Sequence, residues 1–302
     1  MRIRFSWRNF AADDITAKID CTLSVSETPT FDSMNAETIS SLDDARVASY
    51  RDLRERDLRA EGVFIAEGAL LAERLLGSRF PIASVFATEE SAARLAPALG
   101  NRAPLYVAEA ELMRRIVGFD FHRGVLALGK RVPFLEATAL VVEKCNIATR
   151  SNFVVCPGTE TAENLGLVLR SAAAFGIDGV LLPERGADPL SRRCLRQSMG
   201  SALSLNIARS ADLLQDLQKL RRETGLQLVA AVAGDAEDTV SLSDFSWPSR
   251  AALVVGNEYH GLDADWLDAC DHKVTIRIAP NCDSLNVAVA TGILLHHMTT
   301  MS

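Results

Sequence analysis

Residues 276–290 read Ile-Arg-Ile-Ala-Pro-Asn-Cys-Asp-Ser-Leu-Asn-Val-Ala-Val-Ala, and this stretch shows how the C-terminal half is built. Its start predicts the end of a β-strand, Pro280 predicts a turn, and the apolar run after Ser284 predicts a helix. Ser284 is the expected N-cap, because its hydroxyl can accept a backbone hydrogen bond. Asn286 then falls in the first helical turn, where Asn is unfavourable unless its side chain is used. The free N–H groups of such a helix suit a polar or anionic ligand.

A glycine-rich segment lies earlier in the chain, directly after a predicted apolar strand. Residues 255–262 read Val-Gly-Asn-Glu-Tyr-His-Gly-Leu. Ligands of parallel α/β sheets bind beyond the C-terminal ends of strands, and glycines there let the backbone approach a ligand. Glu258 is placed to hydrogen-bond a substrate hydroxyl or to orient a cation. The alternative is an ordinary glycine turn with His260 in solvent.

A third segment places one charge in an apolar helix. Residues 164–176 read Asn-Leu-Gly-Leu-Val-Leu-Arg-Ser-Ala-Ala-Ala-Phe-Gly. Arg170 and Gly166 are four residues apart and therefore share a helix face. One interpretation is that Gly166 leaves room for a ligand beside the guanidinium. The other is that Arg170 lies on a solvated stripe and Gly166 is merely tolerated.

Strands and helices alternate on both sides of these segments. In residues 152–302 most predicted strands are apolar throughout, which is typical of a parallel sheet covered on both faces. Asp188 and Pro189 are predicted to begin the second helix of this half. The predicted strands are 153–156, 179–182, 205–208, 226–232, 251–255 and 273–278, and the predicted helices are 163–175, 189–202, 211–224 and 285–298.

The N-terminal half predicts a smaller domain. Residues 46–131 contain four short strands with amphipathic helices between them, which indicates a small α/β domain. Residues 132–151 are interpreted as a linker. Residues 1–45 are expected to be a flexible extension, with Met34 as an alternative natural start.

Composition excludes several classes of protein. The chain has 32 basic and 39 acidic residues, a net charge of −7, so it is not coated with positive charge, although a local basic patch remains possible. Its six cysteines form no C-x-x-C pair, so we expect no metal site and a reducing, cytoplasmic location. Its apolar runs are strand-sized, so no membrane span is expected. The G-x-G-x-x-G and P-loop nucleotide fingerprints are also missing.

Taken in order, the three segments resemble motifs 1, 2 and 3 of the SpoU (TrmH-like) family of SPOUT-superfamily RNA methyltransferases. The family patterns are N-x-G-x-x-x-R-x-A, G-x-E-x-x-G and S-L-N-V-x-V-A, and residues 196–200 match a further R-x-S-x-G. Residues 50–131 resemble the substrate-binding domain of many members. Two departures are visible: Ile276-Arg277-Ile278 replaces I-P-M, and Thr161-Ala162 replaces the usual Asp-Pro before motif 1.

The resemblance implies a fold and a set of partners. The expected fold is α/β, with a C-terminal parallel-sheet domain that contains a deep trefoil knot and a small α/β RNA-binding domain before it. The implied cofactor is S-adenosyl-L-methionine (AdoMet), bound in the knot. The implied assembly is a homodimer whose active site is shared across the interface.

The resemblance also implies roles for individual residues. The expected reaction is methyl transfer to a ribose 2′-hydroxyl of structured RNA, either rRNA or tRNA. Base methylation by the same fold and a non-catalytic RNA-binding protein are the alternatives. The implied catalytic set is Arg170, Asn164, Glu258, Ser284 and Asn286, and the implied cofactor contacts are Gly256, Ile276 and Leu285.

Helical spacing suggests a site for RNA beside this set. Arg192, Arg193 and Arg196 are three and four residues apart and are predicted to lie on one helix. Arginines in this arrangement can hold backbone phosphates. The alternative is a solvated basic face.

Overall fold

The computed structural model describes residues 35–51, 53–118, 123–159, 161–234, 238–257 and 260–300. The predicted N-terminal extension up to residue 34, and the possible start at Met34, lie outside these ranges. The described chain forms two β-sheets, one of five strands and one of eight. None of the described helices is long and apolar enough to cross a bilayer.

The five-stranded sheet belongs to the N-terminal half and has the order β1-β4-β3-β5-β2. β1, β4 and β3 run parallel, and β5 is antiparallel to both β3 and β2. The strands are β1 (Ala36–Thr38), β2 (Val63–Glu67), β3 (Ile82–Ala87), β4 (Leu105–Val107) and β5 (Val125–Lys130). The helices are α1 (Glu55–Ala60), α2 (Ala69–Leu76), α3 (Glu89–Leu99) and α4 (Ala110–Val117).

The eight-stranded sheet is formed by the C-terminal half, and every neighbouring pair in it is parallel. Its order is β11-β13-β10-β12-β7-β8-β9-β6. Its strands are β6 (Leu135–Glu136), β7 (Ser151–Val155), β8 (Gly179–Pro183), β9 (Ile207–Ser210), β10 (Gln227–Val232), β11 (Thr239–Ser241), β12 (Arg250–Val255) and β13 (His272–Thr275).

Helices cover both faces of this sheet, which explains why its central strands are apolar on both sides. The helices are α5 (Ala137–Ile147), α6 (Ala162–Ala174), α7 (Arg192–Gln197), α8 (Leu213–Thr224), α9 (Ala264–Ala269) and α10 (Val287–Thr300). Buried residues of α6, α7 and α10 share one core with the sheet. Those of α5 and α8 form a second core on the opposite face.

Two predicted boundaries differ from the structure. The extension was drawn too far, because Ala36–Thr38 pairs with β4 and Ile39 is only 2% exposed. The predicted linker at 132–151 contains β6 and α5. Leu140 and Val141 of α5 are buried against the eight-stranded sheet, so the helix belongs to that half of the molecule.

The start of α7 also differs from the prediction. Asp188 and Pro189 were expected to begin this helix, but it begins at Arg192. Ser191 is its N-cap, and the Ser191 hydroxyl accepts a hydrogen bond from the backbone N–H of Cys194 at 3.3 Å. A serine directly before a helical residue is as good a cap as aspartate, so sequence preference alone does not separate the two positions.

Asp188 instead joins the two sheets. Arg131, which follows β5, donates to both carboxylate oxygens of Asp188 at 3.2 and 2.7 Å. Burial alone would raise the pKa of Asp188, but the hydrogen bonds and charge of Arg131 outweigh it, and the pKa lies below its ordinary value. Phe64 and Leu71 also share a core with Leu195 and Leu203. The sheets are therefore joined by a continuous apolar core and a paired charge.

Candidate active site

A cleft of about 480 Å³ opens at the carboxyl ends of three neighbouring strands, β10, β12 and β13. The turns that follow these strands form its walls, and the start of α10 closes one side. Predicted cofactor contacts Gly256, Ile276 and Leu285 all line it, as does Ser284. The volume is within the range of about 300–1,000 Å³ that is usual for small-molecule sites.

The turn after β12 is closed by its own backbone. Asn257 and Gly261 exchange two N–H···O hydrogen bonds, each of 2.9 Å. A Cβ added to Gly256 would lie 2.4 Å from the carbonyl carbon of Gly261 and 2.7 Å from the nitrogen of Leu262. Only glycine fits at this position, because the opposing atoms belong to backbone. Glu258, the acidic residue predicted for this turn, lies outside the described residues.

The stretch after β13 has no regular structure until α10. The predicted strand over 273–278 ends at Thr275, and Ile276 and Ile278 turn toward the cleft, which they both line. The Arg277 that replaces the family's proline therefore leaves an apolar residue on each side of it in the cleft wall.

Asn286, not Ser284, is the cap of α10. The Asn286 Oδ1 accepts hydrogen bonds from the backbone N–H groups of Ala288 at 2.9 Å and Val289 at 3.4 Å. The prediction that Ser284 caps this helix is wrong, and the unexplained Asn is the capping residue. Ser284 is thereby left exposed at the edge of the cleft.

Asn286 also joins motif 3 to motif 1. Its Nδ2 donates to Oδ1 of Asn164 at 3.1 Å, across 122 positions of sequence. Asn164 lies in the first turn of α6, and its own backbone N–H donates to the hydroxyl of Thr161 at 3.3 Å. Thr161 thus caps α6 where the family usually has Asp-Pro. The two predicted asparagines are therefore fixed beside the entrance of the cleft.

These contacts separate the two tasks of Asn286. We expect Asn286→Asp to keep the capping oxygen and to change the free energy of unfolding by about 0.5 kcal/mol or less. The substitution replaces the N–H that reaches Asn164 by a charged oxygen, so Asn164 must turn its amide to keep the contact, and methyl transfer should fall at least about tenfold. Thermal unfolding and single-turnover rates measure the two effects.

Asn286→Ala is the matched comparison, because it removes the cap and the Asn164 contact together. It should lose both stability, by about 1 kcal/mol, and activity. Equal activity of Asn286→Asp and the native protein would show that the orientation of the Asn164 amide has no part in the reaction.

Arg170 lies on the exposed side of α6. Within the part of the chain that the structure describes, no α6 residue lines the cleft. A single chain therefore presents Arg170 to solvent, close to the packing of α6 against α10, where Ser171 faces Gly292.

Gly166 does not leave room for a ligand. A Cβ at Gly166 would lie 2.6 Å from Cβ of Gln197 and 2.8 Å from the carbonyl oxygen of Cys194. The glycine lets α7 pack directly on α6, and it is fully covered by that helix. The interpretation of Gly166 as an opening beside the guanidinium is wrong.

We therefore expect Gly166→Ala to destabilise the protein by about 1–3 kcal/mol through overpacking. The matched control is Gly292→Ala, where the nearest atom to the added Cβ is Ser171 Oγ at an ordinary 3.6 Å. Alanine is the better helix former there, so this variant should be neutral or slightly more stable. Denaturant unfolding of both variants tests the comparison. Equal stability of the two would contradict the close packing of α6 and α7.

The three arginines of α7 have acidic partners. Arg192 and Arg196 each donate to Oε2 of Glu67 at the end of β2, at 3.0 and 2.9 Å. Arg193 reaches Glu163 of α6 at 3.3 Å. Arg192 is largely covered, whereas Arg193 and Arg196 keep much of their surface in solvent. That these three arginines contact RNA stays a prediction.

Sequence reasoning missed Glu67 and its role at the junction of the two sheets. Its only local signal is an acidic residue at the end of an otherwise apolar strand. The partners lie 125 and 129 positions away, so the pairing depends on the tertiary fold.

Comparisons with known proteins identify the family of this chain. The family model described as the SpoU rRNA Methylase family matches residues 151–296. A Mycobacterium bovis protein, named as an uncharacterized tRNA/rRNA methyltransferase, is 36% identical over 275 residues, which are 89% of this chain and 93% of that protein.

Solved structures share the fold over most of the chain. An AdoMet-bound rRNA methyltransferase from Sinorhizobium meliloti has a TM-score of 0.71 and 23% identity, and covers 87% of this chain and 97% of its own. A structure named RNA 2′-O ribose methyltransferase has a TM-score of 0.69 and 25% identity over 87% of this chain and 98% of its own.

The family match and the parallel sheet together define an α/β methyltransferase. The chain belongs to the SpoU family of SPOUT methyltransferases, which confirms the family predicted from the three motifs. AdoMet is the methyl donor of that family.

Proposed function

We propose that this protein transfers a methyl group from AdoMet to a ribose 2′-hydroxyl of a structured RNA, an rRNA or a tRNA. The observation that carries the proposal is the meeting of the three motifs: the turns after β12 and β13 form one cleft, and Asn286 at its edge holds Asn164. The 2′-O ribose methyltransferase whose fold is shared supports the choice of ribose.

The cleft suits AdoMet in size and in lining. Gly256, Ile276 and Leu285 would offer backbone contacts and an apolar wall, and the glycine at 256 keeps open the space that a Cβ would fill. Bound AdoMet supplies an electrophilic methyl group on a sulfonium. We also retain the trefoil knot as a prediction. It is supported by residues 276–285, which line the same cleft as the turn after β12 before the chain enters α10, the helix that packs on α6.

The polar residues would act on the nucleophile. A free ribose hydroxyl is a weak nucleophile, so it needs a proton acceptor or a strong local field. An arginine normally carries its proton, so Arg170 best serves as a fixed cation that stabilises the developing oxyanion or holds the adjacent phosphate. Asn164, Ser284, Asn286 and Glu258 would supply hydrogen bonds that orient the ribose. As the O–CH3 bond forms and the S–CH3 bond breaks, the sulfonium would leave as a neutral thioether and the hydroxyl proton would pass to water.

Nucleoside analysis tests the proposed chemistry. RNA methylated in vitro with labelled AdoMet and digested to nucleosides should contain a 2′-O-methylnucleoside. A methylated base would instead support base methylation by the same fold. Absence of both transfer and AdoMet binding by calorimetry would favour a non-catalytic RNA-binding protein. Mapping of 2′-O-methyl positions in cells with and without the gene would identify the RNA.

We also propose a homodimer in which each cleft receives Arg170 from the partner. Arg170 is exposed and α6 does not line the described cleft, so a second copy would complete the site. The neighbouring surface of α10 is suited to an interface, because Val289 is 53% exposed and Ile293 is 40% exposed.

Mixing two inactive variants tests this arrangement. Arg170→Ala keeps an intact cleft and Gly256→Ala keeps an intact arginine, so a hybrid dimer would contain one complete shared site. Random exchange of equal amounts should restore about a quarter of native activity. No recovery, despite hybrid dimers seen by mass spectrometry, would show that each chain uses its own Arg170.

A further inference from the structure

Four charged residues meet where the two sheets join, and we refer to them as the junction cluster: Glu67, Arg123, Arg192 and Arg196. Glu67 ends β2, and its side chain is only 8% exposed. Its Oε2 accepts from Arg192 at 3.0 Å and from Arg196 at 2.9 Å, and its Oε1 lies 3.7 Å from Nε of Arg123. Glu55 adds a second carboxylate, which accepts a hydrogen bond from the Arg192 backbone N–H at 2.6 Å. Three guanidinium groups beside these two carboxylates leave a net positive charge.

Glu67 remains charged in this setting. Burial alone would raise its pKa, but the hydrogen bonds and charges of Arg192 and Arg196 outweigh burial, and the pKa lies below its ordinary value. Glu67 therefore offsets one of the guanidinium charges, and the cluster keeps an excess of positive charge for a ligand.

The arginines differ in what they can still bind. Arg192 is 20% exposed and serves Glu67 from inside the junction, whereas Arg123 and Arg196 are each 49% exposed. A guanidinium has five N–H donors, and one carboxylate contact occupies only part of them. Arg123 lies in the five-stranded half and Arg196 in the eight-stranded half. Both are held by Glu67, and both present N–H donors to solvent.

The junction cluster is continuous with the candidate active site. On the same helix as Arg196, Arg193 reaches Glu163 at 3.3 Å. Glu163 precedes Asn164, which contacts Asn286 at the edge of the cleft. Gly166 in the same helix packs directly on α7. A ligand bound at the cluster would thus lie beside the helix that carries Arg170.

The spacing between cluster and cleft is fixed by packing. Gly200 follows α7 and packs against α2. A Cβ added to Gly200 would lie 2.9 Å from side-chain carbons of Leu71 and Arg74. Arg131 and Asp188 are paired nearby with both side chains mostly buried. The two halves therefore pack directly against each other, and these contacts set the spacing between the cluster and the cleft.

We propose that the junction cluster binds backbone phosphates of the substrate RNA, with Arg123 and Arg196 as phosphate ligands from the two halves and Glu67 as the residue that positions them. The inference rests on the proposed function and adds a second contact region to it. Guanidinium groups are the preferred partners of phosphate, and the cluster is positive in a chain whose net charge is −7. Two contact regions at a fixed spacing favour a folded RNA over a flexible strand.

Salt-dependent RNA binding tests the inference without any need for methyl transfer. The probe is a fluorescently labelled tRNA transcript, titrated with full-length protein at several salt concentrations. Each phosphate contact contributes about 1 to the slope of log K against log salt. Arg123→Gln and Arg196→Gln should each lower that slope by about 1 and weaken binding severalfold, while AdoMet affinity stays unchanged.

Arg222→Gln is the matched control, because it removes the same charge from an exposed position of α8 on the opposite face of the sheet. It should leave the slope unchanged. An unchanged slope in both cluster variants would overturn the inference. So would labelled polyglutamate that binds the native protein as tightly as the tRNA does and loses that binding in the same variants. Thermal unfolding shows whether each variant folds. If Arg196→Gln does not fold, the slope of Arg123→Gln, a substitution at a half-exposed position, tests the inference alone.

The outcomes separate this inference from the proposed function. A lower slope in the cluster variants, with no methyl transfer by the native protein, would support the phosphate site and refute the enzyme. Normal methyl transfer with an unchanged slope would refute the phosphate site alone.

Discussion

Arg170→Ala should lower the rate of methyl transfer at least about 100-fold while AdoMet affinity and folding stay close to native. A fixed charge aimed at a developing oxyanion contributes on this scale in other enzymes. The side chain is exposed, and within the described ranges it holds no hydrogen bond or ion pair that supports the fold. Single-turnover kinetics, calorimetry with AdoMet and thermal unfolding measure the three quantities separately.

The control for this variant is Arg222→Ala. Both arginines are exposed on helices of the C-terminal half, but they lie on opposite faces of its sheet. Both variants lose one surface charge, but only Arg170→Ala loses the proposed catalytic guanidinium. A difference in transfer rate between them therefore reports on that group. Undiminished transfer by Arg170→Ala would remove Arg170 from the mechanism.

Gly256→Ala should reduce AdoMet affinity at least about 100-fold, because the added Cβ would meet backbone atoms of Gly261 and Leu262 at 2.4–2.7 Å. Backbone on both sides of this turn is held by the Asn257–Gly261 hydrogen bonds, so the clash must open the turn and deform the cleft wall. Overpacking of this kind also costs about 1–3 kcal/mol of stability. Calorimetry measures affinity, and circular dichroism reports whether the fold persists.

Gly158→Ala provides the matched control in the same region. Its added Cβ would lie 3.5 Å from Cβ of Asn257, an ordinary contact, so AdoMet affinity should change less than about threefold. Comparable affinity in the two variants would show that the turn after β12 does not bind the cofactor.

The sequence was most informative where function depends on short segments. Motifs 1 and 3 could be placed on a helix and on a strand–turn–helix, and the structure brings Asn164 and Asn286 into contact. The order of elements already indicated a parallel sheet, because predicted apolar strands alternate with predicted helices along the chain. The family resemblance, not the strand pattern, supplied Gly256, Ile276 and Leu285 as expected cofactor contacts, and all three line the cleft.

Other features depend on partners that are remote in sequence. Gly166 looked like an opening because nothing local announces that α7 packs on it. Ser284 and Asn286 are both good caps, and only the path of the backbone decides between them. Glu67 is a lone acidic residue until the fold brings Arg192 and Arg196 to it.

The position of β7 in the middle of the eight-stranded sheet has a consequence for biosynthesis. One neighbour, β8, follows soon after it, but the other, β12, is translated roughly one hundred residues later. A nascent chain that has not yet reached Arg250 therefore holds Val154 and Val155 on a strand with one unpaired edge. Unpaired strand edges can pair with other chains, so the addition of β12 is the step that closes this edge of β7.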